Sequence, residues 1–288
     1  MKGLCNIGNT CYLNASLQLL IQNDDFCKII LIYRHHSPIL NDISDFIMQY
    51  YINNDSSITP IIIKKIIHHH LPQYDNSMQH DASEFILSFF DLIDSEIKKI
   101  NLSSLNLYSI YGIQSKTQFL CKNRHKNNMY ENTLLLILDL ELNDTTLTNL
   151  IQKYKSKEQL CEQSNNIYLC EHCNIHVPAL KKTFITNVSS NLLILLKRFI
   201  IINSEYVKNN ANITIPIIWN NEFKLVGAII HYGGIHFGHY IYLSNINNGW
   251  FIFDDTNIKE ISISDVDSIL RYAYCIYYKK LLNNHINI

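Results

Sequence analysis

The sequence predicts an α+β protein: a helical first third, a strand-rich middle and an antiparallel sheet. Three observations carry that reading. Ala82 to Ile100 repeats apolar residues at Phe85, Phe89, Ile93, Ile97 and Ile100, a helical period with one core face. From about residue 110 the apolar runs shorten and Asn and Thr cluster between them. From about residue 190, runs rich in β-branched and aromatic residues follow one another: Leu192 to Ile202, Phe223 to Tyr232, His239 to Leu243, Trp250 to Phe253 and Tyr272 to Tyr278. Two further helical segments are expected in the first third. Cys11 to Gln22 has Asn9 and Thr10 available as caps, and Ile61 to Leu71 leads into His68 to His70, read as a solvated helix end. A helical lobe that meets a sheet leaves a cleft between them.

With no internal repeat and no Gly/Ser or Pro linker, the 288 residues read as one domain, long enough to bury a core without disulfides. Hydrophobic residues make up 47% and charged residues 17%, which excludes a disordered chain. The 24 basic and 25 acidic side chains create no broad basic field, so neither nucleic acid nor an anionic membrane is expected as a partner. The first residues are too polar for a signal peptide, and no apolar run reaches the roughly 18 to 20 residues of a membrane span. Cytoplasmic action, or nuclear action beside it, is the expectation, in the host cell if the source is a virus. In that reducing setting the eight Cys are thiols, metal ligands or a nucleophile.

The bias toward 47 Ile and 34 Asn fits AT-rich coding, in a large DNA virus or an AT-rich eukaryote. It makes the rare residues informative. Of only eight glycines, five fall in two short segments: Gly3 and Gly8, then Gly233, Gly234 and Gly238. The first segment runs into Cys11 at the start of an expected helix, where free N–H groups and the helix dipole favour a thiolate. Read alone, such a Cys is also an ordinary buried core residue, which is how Cys5, Cys27, Cys161 and Cys275 are read. A nucleophilic thiol needs a base, and the base needs an orienting group. The second glycine segment offers His231, His236 and His239, with His239 at the mouth of a strand. W-F-I-F-D-D places Asp254 and Asp255 at the end of the next strand, within a hairpin's reach of His239.

G-L-C-N-I-G-N-T-C-Y-L-N-A-S-L-Q-L-L resembles the Cys box of the ubiquitin-specific proteases, and G-G-I-H-F-G-H-Y-I-Y followed by W-F-I-F-D-D resembles their His box. Between them, M-Q-H-D-A-S-E-F-I is similar to the family's acidic helix start, and L-L-I-L-L-K-R-F to its strand ahead of the His box. These blocks follow the family's order from residue 3 to about 280. The resemblance implies a papain-like cysteine peptidase with a helical thumb (1–105), β-rich fingers (106–185) and an antiparallel-sheet palm (186–288). It implies Cys11 as nucleophile, His239 as general base, Asp254 as its orienting group and Asn6 as oxyanion donor. Asp255 matches a position that assists or replaces Asp254, and the sequence does not choose between the two.

Asp81 and Glu84 share one helix face, and on pattern alone they are a capping pair. The resemblance implies that they also receive the Arg-containing tail of ubiquitin, with Gly238 and Tyr240 beside it. Gly238→Ala is then expected to impair turnover more than stability. Catalysis needs no cofactor on this reading. Cys170 and Cys173 have metal-ligand spacing, and the family carries paired C-x-x-C knuckles on structural zinc. Here the position three after Cys121 is Arg124, so His125 is the candidate fourth ligand and His172 a poorer one. The alternative is a metal-free finger. The expected partners are ubiquitin and ubiquitinated proteins, the expected reaction thiol-dependent hydrolysis after the C-terminal Gly of ubiquitin. Rival readings are an inactive ubiquitin-binding relative and a protease for another ubiquitin-like modifier.

Overall fold

The computed structural model describes residues 1–100, 105–161, 167–202, 204–234 and 237–281; His236 lies outside them. The first third is helical as the periodicity predicts. It comprises α1 (Cys11–Ile21), α2 (Asp24–Tyr33), α3 (Pro38–Ile52), α4 (Ile61–His70) and α5 (Ala82–Lys98), with α6 (Leu107–Tyr111) leading out of it. Every residue of α1 is buried. The helix runs through the interior, and its polar residues are satisfied there: Gln18 Nε2 donates to Lys2 O at 2.8 Å and Tyr50 OH donates to Gln18 Oε1 at 2.9 Å. Phe85, Phe89, Ile93 and Ile97 of α5 are buried together, so the four-residue spacing read from the sequence is the core face.

The large sheet runs in the spatial order Asn257–Ile261, Gly249–Asp254, Gly238–Ile246, Phe223–Gly233, Ala273–Lys280, Asn191–Lys197, Leu136–Asp139. All neighbours are antiparallel except the last pair. The sheet has a core on each side. One is shared with α1 and α5; the other packs beneath α7 (Leu147–Tyr154) and α8 (Ile263–Leu270), two short helices that the sequence reading did not separate from the strand-rich region. A four-stranded antiparallel finger sheet orders Lys126–Thr133, Ile113–Cys121, Ala179–Val188 and Lys157–Leu160.

The expected strand Leu192 to Ile202 is two strands, Asn191–Lys197 and Phe199–Ile202. The break is Arg198, 1% exposed, whose guanidinium donates to the carbonyls of Ala273, Asn209, Ala211 and Arg271. Four carbonyls satisfy a buried cation only if the chain turns its side chain inward there, which ends the flat run. Burial brings the Arg198 pKa down to about 10.

Candidate active site

Cys11 opens α1 and is 3% exposed. Its approach loop turns at Gly8, whose φ of 109° only glycine adopts freely. Thr10 occupies the N-cap position without capping: its hydroxyl accepts from Ile7 N at 3.0 Å and donates to Asn6 Oδ1 at 3.2 Å. Asn6 Oδ1 also accepts from Gly8 N and Thr10 N, so one side-chain oxygen gathers the loop ahead of the thiol.

His239 and Asp254 lie on adjacent antiparallel strands. Their register pairs Tyr242 with Phe253, which sets Asp254 one diagonal step from His239. His239 Nε2 and Asp254 Oδ1 are 2.7 Å apart. The imidazole is raised to about 9: its hydrogen bond with the Cys11 sulfur contributes most, burial opposes, and Asp254 adds to the rise.

Asp255 does something else. It sits in the hairpin turn at a φ of 51°, tolerated by a short polar side chain, and its carboxylate lies near His239 and Asp254 but is bonded to two side-chain amides. Asn6 Nδ2 donates to Asp255 Oδ2 at 2.9 Å, and Asn14 Nδ2 to Asp255 Oδ1 at 2.7 Å. The backbone carbonyl of Asp255 accepts from Leu4 N at 2.8 Å. The structure thus separates the two acids: Asp254 meets the imidazole and Asp255 orients the Asn6 amide.

Tyr240 is not placed for side-chain contact with a substrate. It is buried between His231 and Tyr274, with ring centroids at 4.4 and 5.6 Å. Burial and the nearby charge of Asp81 raise its hydroxyl well above the usual range. Gly238 is also corrected. A Cβ there would lie 2.1 Å from Nε2 of the buried His231, so Gly238→Ala must displace a packed ring and strain the fold as well as the site. Burial, with Lys208 and Arg198 nearby, pushes His231 down to about 3, which keeps it neutral and out of acid–base work.

Asp81 caps α5: its Oδ1 accepts from Ser83 N at 2.8 Å and Glu84 N at 3.1 Å. Its Oδ2 accepts from Tyr274 OH. Glu84 is exposed, and its pKa is raised by partial desolvation and then by Asp81. The sequence reading of this block stopped at its two acids and passed over Gln79, which bonds to Gly238 from across the cleft. Asn14 was missed too, as one of three polar residues in a buried helix.

At the finger tip Cys121, His125, Cys170 and Cys173 converge, with their donor atoms within 4.8 Å of one another. His125 Nδ1 is 3.2 Å from Cys173 Sγ and 3.8 Å from Cys170 Sγ. Desolvation works against the Cys170 thiolate, yet bonds from the Cys173 backbone and from His125 bring its pKa down to about 7. Three thiols and one imidazole form a set that Zn²⁺ accepts.

Residues 2–278 match the Ubiquitin carboxyl-terminal hydrolase family. The chain belongs to that family. It is 28% identical over 316 residues to probable ubiquitin carboxyl-terminal hydrolase 16 of Schizosaccharomyces pombe, covering 96% of this chain and 66% of the relative. Ubiquitin carboxyl-terminal hydrolase 23 of Arabidopsis thaliana is 24% identical over 96% of this chain and 35% of its own length. The chain thus spans about two thirds and one third of these two hydrolases. In fold it is similar to a chain of the SAGA Ubp8/Sgf11/Sus1/Sgf73 DUB module bound to ubiquitin aldehyde, with a TM-score of 0.83, 22% identity, and coverage of 98% of this chain and 70% of that one. The α+β hydrolase fold expected from the resemblance is therefore present across the chain.

Proposed function

We propose that this hydrolase is a thiol-dependent deubiquitinase that cleaves the bond after the C-terminal Gly of ubiquitin through an acyl-enzyme. The observation that carries it is His239, bonded to Asp254 at 2.7 Å and raised chiefly by the Cys11 sulfur beside it. The Cys11 thiolate adds to the carbonyl carbon. One hydrogen of Asn6 Nδ2 is held by Asp255, and the other donates to the oxyanion. The tetrahedral intermediate collapses as the His239 imidazolium gives its proton to the departing lysine amine. Neutral His239 then takes a proton from water, whose oxygen attacks the thioester; the C–S bond breaks, the carboxyl product leaves, and the Cys11 thiolate is restored beside the His239 imidazolium.

Glu84 is the carboxylate that receives an arginine of the substrate tail, since both Asp81 oxygens are already bonded. At the finger tip Cys121, His125, Cys170 and Cys173 hold one Zn²⁺, which supplies a structural crosslink and takes no part in the reaction. Hydrolysis of a fluorogenic C-terminal amide of ubiquitin, measured beside Cys11→Ala, tests the reading. Wild-type turnover that vanishes in the variant supports it, and equal turnover by both refutes it.

A further inference from the structure

We infer that residues 77–79 form a bracket that sets the separation of Cys11 from His239, with Gln79 a positioning residue that acts through Gly238. The inference rests on the reading that Cys11 and His239 react as a pair. On one side, Asn9, two residues before Cys11 and at a φ of 52°, donates from Nδ2 to Ser77 O at 2.7 Å. On the other, Gln79 Nε2 donates to Gly238 O at 2.9 Å and Gly238 N donates to Gln79 Oε1 at 3.1 Å. A single side-chain amide thus takes both polar groups of the backbone unit next to His239. It stands where a paired strand would stand: the Gly249–Asp254 strand reaches only Tyr242 to Ile246 of the His239 strand.

The bracket is stiff at its own base. Asn76 Oδ1 accepts from Met78 N and His80 Nε2, each at 2.8 Å, and Asn76 Nδ2 donates to Gln73 O at 3.0 Å. Asp81 then fixes the start of α5. The opposite limb of the His hairpin is held separately, by Lys208 Nζ on the carbonyls of His231 at 2.9 Å and Gly233 at 2.7 Å. Removing the Gln79 amide therefore frees the outer edge of the limb that carries His239, which stays paired with Phe223–Gly233 on its inner edge, and leaves both the bracket loop and the other limb anchored. Gln79 is exposed, so the core does not depend on it.

The test uses the full chain carrying Gln79→Met, which keeps the side chain's length and loses both bonds, and Asn9→Gly, which keeps the left-handed backbone and loses the amide. Kinetics on the ubiquitin amide give kcat and KM. Iodoacetamide labelling of Cys11 across pH, followed by mass spectrometry, reports the thiol–imidazole pairing without any substrate. Gln79→Met should lower kcat roughly 10- to 100-fold, as expected of a misplaced reactive group, with KM within about 2-fold. Both variants should slow Cys11 labelling and flatten its dependence on pH, at an unchanged melting temperature. An unmoved labelling profile in either variant, or a raised KM with unmoved labelling, overturns the bracket. A wild-type chain without turnover whose labelling still depends on Gln79 would refute the deubiquitinase reading and leave the bracket standing.

Discussion

Two clusters in this molecule each combine thiol and imidazole and are set up for opposite chemistry. In the cleft, one thiol at the start of α1 faces one imidazole, which in turn faces a carboxylate. At the finger tip, three thiols and an imidazole point at a common centre with no carboxylate among them. A polarised series moves protons, whereas a convergent set of soft donors holds a cation. What separates reactivity from ligation is the carboxylate behind one imidazole and the two further thiols around the other.

The sharpest way to break this contrast is to remove the thiols one cluster at a time. Cys11→Ala should reduce hydrolysis of the ubiquitin amide to background. The double variant Cys170→Ser/Cys173→Ser should keep turnover within a few-fold of wild type while its zinc content, read by mass spectrometry of the metal, falls from about one per chain to near zero. If that finger variant loses turnover while its fold persists, the division of labour is wrong. Next in size, Asn6→Ala should lower kcat by about 10²- to 10³-fold with ubiquitin binding retained, because an oxyanion donor acts mainly in the transition state. Asp255→Ala should follow in the same direction by a smaller factor, since it keeps the Asn6 donor and removes the carboxylate that orients it and bonds Asn14. A larger loss from Asp255→Ala than from Asn6→Ala would show that Asp255 acts on more than the amide.

The smallest expected effect concerns pH. Protonated His239 donates to the leaving amine, so acylation should fall as pH rises through about 9. Asp254 raises the imidazole pKa, so in Asp254→Asn the falling limb should move to lower pH; a limb that stays in place would remove Asp254 from the series. The same sign holds for stability. A histidine raised from 6.5 to about 9 stabilises the fold below 6.5, and that contribution is lost as pH climbs through about 9. Thermal melting of Cys11→Ala against wild type across this range measures it, because the Cys11 sulfur is the largest cause of the shift.

The legible parts of this protein are those set by neighbours close in the chain. The core face of α5 was readable because residues three and four apart share a helix face, and the His239 strand was readable from its alternation. The double role of Arg198, as a charged residue and as a strand breaker, was not readable. Its four acceptors come from the 209–211 and 271–273 segments, and nothing near residue 198 announces them. Tyr240 was misjudged for a related reason. The resemblance set it beside the substrate, but alternation along a strand turns neighbouring side chains to opposite faces, and this one faces the core.

The order of the motifs, the helix that presents Cys11 and the hairpin that carries His239 and Asp254 were determined by the sequence itself, through glycine placement, periodicity and resemblance. Only the tertiary structure decided which acid meets the imidazole, that His125 joins the finger thiols, and that Gln79 grips Gly238. Those bonds join residues from 15 to 159 positions apart. Helical and strand periodicity specify which face a side chain occupies. Which distant group it meets is set when packed elements fix their relative positions, and hydrogen bonds lose most of their strength over less than an ångström of error in that placement.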